Sequence, residues 1–169
     1  DDKVRYEAIA AVKAIDSRLA LAENVGRAFS GLSLGSILLL GALGLAITSG
    51  AMGVINMAHG ELLMVGAYAT YGMQTLFRAY FPNAIDWYLP AAVPVAFFAA
   101  AMVGVIMERT VIRWLYGRTL ETLLATWGIS LVLIQTARVL FGAQNVEVSN
   151  PTWMSGGIEI MPNLILPWN

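Results

Sequence analysis

The sequence predicts an all-α fold: a polytopic transmembrane helix bundle interrupted by one broken or re-entrant segment. Three observations lead there. The 169 residues are 58% hydrophobic and only 12% charged, whereas an ordinary soluble domain is about 25% charged. Uncharged stretches recur at the length of about 20 residues that a membrane crossing needs. One of them, from Ala28 to Gly60, is too long for a single crossing. As a continuous helix it would reach about 50 Å, against a hydrocarbon core of about 30 Å.

Residues 1–27 read as an amphipathic helical segment at the membrane surface. Val4, Ala8, Ala11, Val12, Ile15, Leu19, Ala22 and Val25 fall on one broad face, with Lys13, Asp16, Arg18, Glu23 and Arg27 opposite. The first crossing covers Phe29–Thr48, where Gly31 and Gly35 form a small-xxx-small pair suited to close helix approach. The surplus of the uncharged run then falls at residues 50–61, with three glycines, an Asn, the chain's one His and an acid. A helix that stops there and restarts accounts for the excess length. The second crossing runs from Glu61 to Arg78, the third from Trp87 to Met107 with aromatic residues at its start, and the fourth from Thr122 to Phe141. Residues 28–141 are thus the membrane part. Residues 142–169 form a terminal loop in which Val146–Val148 and Ile158–Ile160 alternate with period two, the pattern of a small β-hairpin.

Arginine placement orients the bundle. Arg109, Arg113 and Arg118 lie in the short loop 108–121, and residues 142–169 contain no Lys or Arg. The loop is therefore expected in the cytoplasm and the tail outside. Counting back puts the break toward the cytoplasmic side and residues 1–27 outside. The chain begins without Met and ends where another apolar element could start, so it reads as a fragment of a larger protein.

Composition excludes several classes. A net charge of −1 with two lysines leaves no nucleic-acid footprint. With no Cys and one His, neither a thiolate site nor a multi-histidine metal centre can be built. No Gly-rich loop ends in Gly-Lys, and no nucleophile stands beside a base, so the chain is read as non-enzymatic, with no cofactor of its own. What carries chemistry is the break. Polar and ionisable groups at an interrupted membrane helix line transport pathways, and this assigns Gly53, Asn56, His59, Gly60 and Glu61 to the path. A structural reading stands beside it: Asn56 caps the restarting helix and Glu61 offsets its dipole. Arg109, Arg113 and Arg118 serve as interfacial anchors or as contacts for a cytoplasmic partner. Arg138 is explained by snorkelling to the opposite interface.

The string Gly53-Val54-Ile55-Asn56-Met57-Ala58-His59-Gly60-Glu61-Leu62, followed by Met64-Val65-Gly66-Ala67-Tyr68, resembles the signature of the LivH-type permeases of branched-chain amino-acid ABC importers. Glu108-Arg109 with Tyr116-Gly117-Arg118 resembles the family's cytoplasmic loop, and Thr126-Trp127-Gly128-Ile129-Ser130 its next helix. Phe141–Val146 and Asn150–Gly157 resemble the family's urea-importer branch in particular. The resemblance covers Ser17–Asn169. It implies a multi-pass permease subunit of the bacterial inner membrane, moving urea, short amides or branched-chain amino acids. It also implies a second related permease subunit, two cytoplasmic ATPase subunits that bind ATP and Mg, and an extracytoplasmic solute-binding protein. A proton-coupled secondary transporter, or a passive channel, using His59 and Glu61 is the alternative.

Overall fold

A computed structural model describes residues 2–161 and 164–167. Four helices carry the chain: α1 (Asp2–Met52), α2 (His59–Tyr80), α3 (Tyr88–Thr110) and α4 (Thr119–Phe141). Short 3-10 turns at Pro82–Trp87 and Ile112–Trp114 lead into and out of α3. Among the described residues, three helical segments are long and apolar enough to cross a membrane by length and composition. The fourth helix, α2, carries Glu61 in its first turn and Arg78 in its last, with an uncharged stretch between them.

Residues 3–27 are helical, as the spacing predicts, but they do not form a separate element. α1 continues through them into the first crossing for 51 residues in all. No Pro interrupts the junction, and just before it Glu23 accepts an i,i+4 hydrogen bond from Arg27 at 2.5 Å. The interruption begins only at Gly53 and ends at Ala58.

Contacts divide the chain into two compact units, residues 1–41 with 153–169, and residues 42–152. In the first, a two-stranded antiparallel hairpin joins β1 (Gly157–Met161) to β2 (Leu164–Pro167), with a register irregularity between Glu159 and Met161. Along α1, Leu32, Leu34, Ile37, Leu38, Leu39 and Leu40 are exposed, an outward apolar surface suited to lipid. A Cβ added at Gly31 or Gly35 would meet nothing within 4 Å, so neither glycine is used for close packing among the described residues.

In the second unit α2 packs chiefly along α3 and meets α4 over a shorter stretch. Gly66 allows the approach to α3: a Cβ there would touch Ala96 at 4.0 Å. A small apolar core of Val54, Ala58, Met107 and Ile112, with Leu62 and Ile129 packed on it, sits where the break meets the end of α3. The break therefore lies at the same end of the helices as the loop bearing Arg109, Arg113 and Arg118.

Residues 142–152 cross the opposite end. Ser149 is the anchor. Tyr88 donates its hydroxyl to the Ser149 carbonyl, and Arg78 Nη2 donates to Ser149 Oγ at 2.6 Å. With its carbonyl oxygen turned toward donors, the Gln74 amide accepts from Arg78 Nη2 at 2.9 Å and from the Ser149 N–H at 3.0 Å. Gln74 and Tyr88 are buried. Thr152 donates its backbone N–H and its hydroxyl to Asp86 at 2.9 and 2.6 Å. These contacts correct one expectation. Val146–Val148 is not a strand, because side chains of α2 and α3 fix the chain just after it; the hairpin instead pairs residues 157–161 with 164–167.

Candidate functional site

Inside a membrane, a break in a helix survives only if its freed backbone groups find partners. Gly53 ends α1 in the left-handed region, at φ 61°, and its N–H donates to the Ser49 carbonyl at 2.9 Å. This is the αL cap that glycine adopts without a Cβ clash. Asn56 Oδ1 then accepts the Ala58 N–H at 2.9 Å, the Asx geometry that lets a short amide stand in for a turn of backbone. Met57 N–H donates to Thr126 Oγ1 on α4 at 3.2 Å. Ala58 returns the chain to helix by accepting Leu62 N–H at 3.2 Å. Ala58 and Thr126 are both fully buried, so the inner side of the capped turn is packed, while Gly53, Ile55 and Met57 stay exposed.

Asn56, His59 and Glu61 do not converge on one point. Asn56 is turned into the break itself and borders a cleft of about 360 Å³, lined mainly by apolar groups including Met52, Val54, Leu62, Gly104 and Ile112. The His59 ring lies against α1, with Cε1 3.5 Å from where a Cβ on Gly44 would be. Glu61 faces α4, where its Oε1 accepts the Ser130 hydroxyl at 2.5 Å. Its Oε2 is buried and accepts no hydrogen bond among the described residues. Gly53 and Gly60 are exposed. The sequence-derived set therefore contacts three different elements: its own turn, α1 and α4.

Reading by residue type passes over the other half of this arrangement. Thr122, Thr126 and Ser130 are the buried hydroxyls of α4, spaced by four so that they share one face. Thr122 donates to the Leu115 and Arg118 carbonyls, and Thr126 to those of Thr122 and Leu123. Ser130 alone of the three sends its proton to another helix. The spacing is legible in the sequence; the partners are not. Arg109, Arg113 and Arg118 are exposed, Arg118 pairing with Glu121 at 3.0 Å. Among the described residues no group of three His, Cys, Asp or Glu is placed to hold a metal ion.

Residues 27–163 match the family described as the permease component of the branched-chain amino acid transport system. The chain belongs to this family. It is 31% identical over 128 residues to the high-affinity branched-chain amino acid transport system permease protein BraD of Pseudomonas aeruginosa, covering 75% of this chain and 41% of that protein. The LivH permease proteins of Escherichia coli K12 and Salmonella typhimurium are 32% and 31% identical over 138 residues, covering 78% of this chain and 44% of theirs. The chain thus spans less than half the length of these curated relatives. No solved structure matches it. Membership of a permease family, with helices of this length and apolarity, makes the chain a helical integral membrane protein and not an enzyme.

Proposed function

We propose that this chain forms part of the permease of an ATP-driven importer in the bacterial inner membrane, with the solute path running past the break at residues 53–61. The observation that carries the reading is the capped break itself. The string that resembles the family signature most specifically is also the stretch where Gly53, Asn56 and Thr126 hold non-helical backbone against buried Ala58. Such interruptions are where transporters place their solute sites. Gly53, Asn56, His59, Gly60 and Glu61 then border or support the path. Arg109, Arg113 and Arg118, exposed at the same end, face the cytoplasm and two ATPase subunits that bind ATP and Mg. A second, related permease completes the membrane part, and an extracytoplasmic solute-binding protein delivers the solute.

Urea is the leading substrate, because Phe141–Val146 and Asn150–Gly157 resemble the urea-importer branch. The relatives' names point to branched-chain amino acids. Titrating the purified solute-binding partner with urea and with leucine decides between them, and a preference for leucine overturns the urea assignment. Co-purification with ATPase subunits, and uptake that stops when their ATP hydrolysis is abolished, tests the importer reading; uptake that persists without ATPase function refutes it.

A further inference from the structure

Glu61 and Ser130 face each other across α2 and α4, and among the described residues Glu61 Oε2 has no hydrogen-bond partner. The Ser130 proton is committed to Glu61 Oε1. What remains is acceptor capacity: Glu61 Oε2, buried and accepting nothing among the described residues, and a lone pair of the Ser130 hydroxyl. The other two hydroxyls of the stripe donate to carbonyls of their own helix and its approach, and Thr126 additionally accepts from the break. An oxygen left without a donor in a packed interior costs about 1–3 kcal/mol, so the arrangement calls for an occupant that supplies N–H groups.

We propose that Glu61 and Ser130 form an acceptor pair for an N–H-donating head of the solute, either the amide nitrogen of a urea or the ammonium of an amino acid. This rests on the proposed path past the break. Two adjacent acceptors suit a group with two or more N–H bonds. In this structure the pair is closed, with Oε2 sealed from solvent. α2 is held mainly to α3 and only over a short stretch to α4, so parting α2 from α4 breaks few contacts and opens both acceptors at once. Ser130 belongs to this site as the residue that fixes the Glu61 carboxyl.

The test uses the full-length permease assembled with its partner subunits in proteoliposomes, with isotope-labelled urea and leucine as probes. Glu61→Gln replaces an acceptor oxygen with an NH2 donor, and Ser130→Ala removes the hydroxyl. Each is expected to lower kcat/KM about 10- to 100-fold through a raised KM, the range for a lost hydrogen bond to a charged group, while Ser130→Thr restores most of it. Isocaproate, which has leucine's skeleton without the ammonium, is expected not to compete. Infrared difference spectra of the permease alone supply the second readout. Addition of urea or leucine should shift a carboxyl band that Glu61→Gln abolishes and Ser130→Ala moves, and the solute that shifts it identifies the head group. Wild-type KM in both variants overturns the proposal, as does a band that neither solute shifts. If the wild-type complex transports neither probe, the importer reading fails, and the infrared measurement still decides the acceptor pair.

Discussion

Replacing Asn56 with alanine separates holding the break from touching the solute. The Asn56 Oδ1 accepts the Ala58 N–H at 2.9 Å, and Ala58 is 0% exposed, so no water replaces the lost acceptor. A neutral hydrogen bond contributes about 1 kcal/mol, and a buried donor left unsatisfied costs about 1–3 kcal/mol. The equilibrium between the closed and the locally opened break should therefore shift by about 5- to 150-fold. Amide hydrogen exchange reads this directly, because protection reports the free energy of local opening. In lipid nanodiscs, peptides spanning residues 54–62 should lose protection by that factor in Asn56→Ala, with peptides of α3 unchanged. Asn56→Asp keeps an acceptor oxygen at the same position and should keep both protection and uptake. Wild-type protection in Asn56→Ala refutes the capping argument. So does an Asn56→Asp variant as unprotected as Asn56→Ala.

Three further outcomes follow from the same geometry. Gly53→Ala forces a Cβ into the left-handed region at φ 61° and should destabilise the protein by about 1–2 kcal/mol, read as a lower unfolding midpoint in nanodiscs; Gly53→Asn, which tolerates that region, should lose less. Thr126→Val keeps shape but removes the acceptor of Met57 N–H, so it should cost about 1–3 kcal/mol on the same scale, with Thr126→Ser close to wild type. Tyr88→Phe takes the donor from the Ser149 carbonyl and should loosen residues 142–152 by roughly 1 kcal/mol, measured as faster limited proteolysis of that segment; an unchanged cleavage rate counts against the anchoring role of Ser149.

What the sequence makes legible differs by element. The helices were legible because long apolar runs leave the chain little choice in a bilayer. The break was legible from length, since the run from Ala28 to Gly60 overshoots one crossing. Its sequence-derived bounds of 50–61 are wider than the observed gap between Met52 and His59, because α1 continues through Gly50 and stops only where Gly53 turns left-handed. The hairpin follows the alternation only in part: Ile158–Ile160 lies in β1, whereas 146–148 forms no strand. Val146-Glu147-Val148 alternates like a strand, but its surroundings are fixed by Gln74, Arg78 and Tyr88, some 60–75 residues away. Ser130 carries no signal in the sequence, because a hydroxyl on an apolar helix says nothing until its partner is known.

The partners also change what the signature string means. Stopping a helix inside an apolar core exposes backbone donors and acceptors, each costing several kcal/mol if left unmet in lipid, and capping must come before any contact with solute. Gly53 supplies the left-handed turn, Asn56 spends its acceptor on Ala58, and Ala58 is small enough to vanish into the core formed with Met107 and Ile112. Most of the string is thereby committed to making the interruption stable. His59 is engaged against α1 at Gly44. Glu61 is different: it sits three positions into α2, is fixed by a residue outside the string, and still has a buried oxygen to offer. If the path passes this break, the group with chemistry to spare is the carboxyl of Glu61, and the residue that aims it is Ser130.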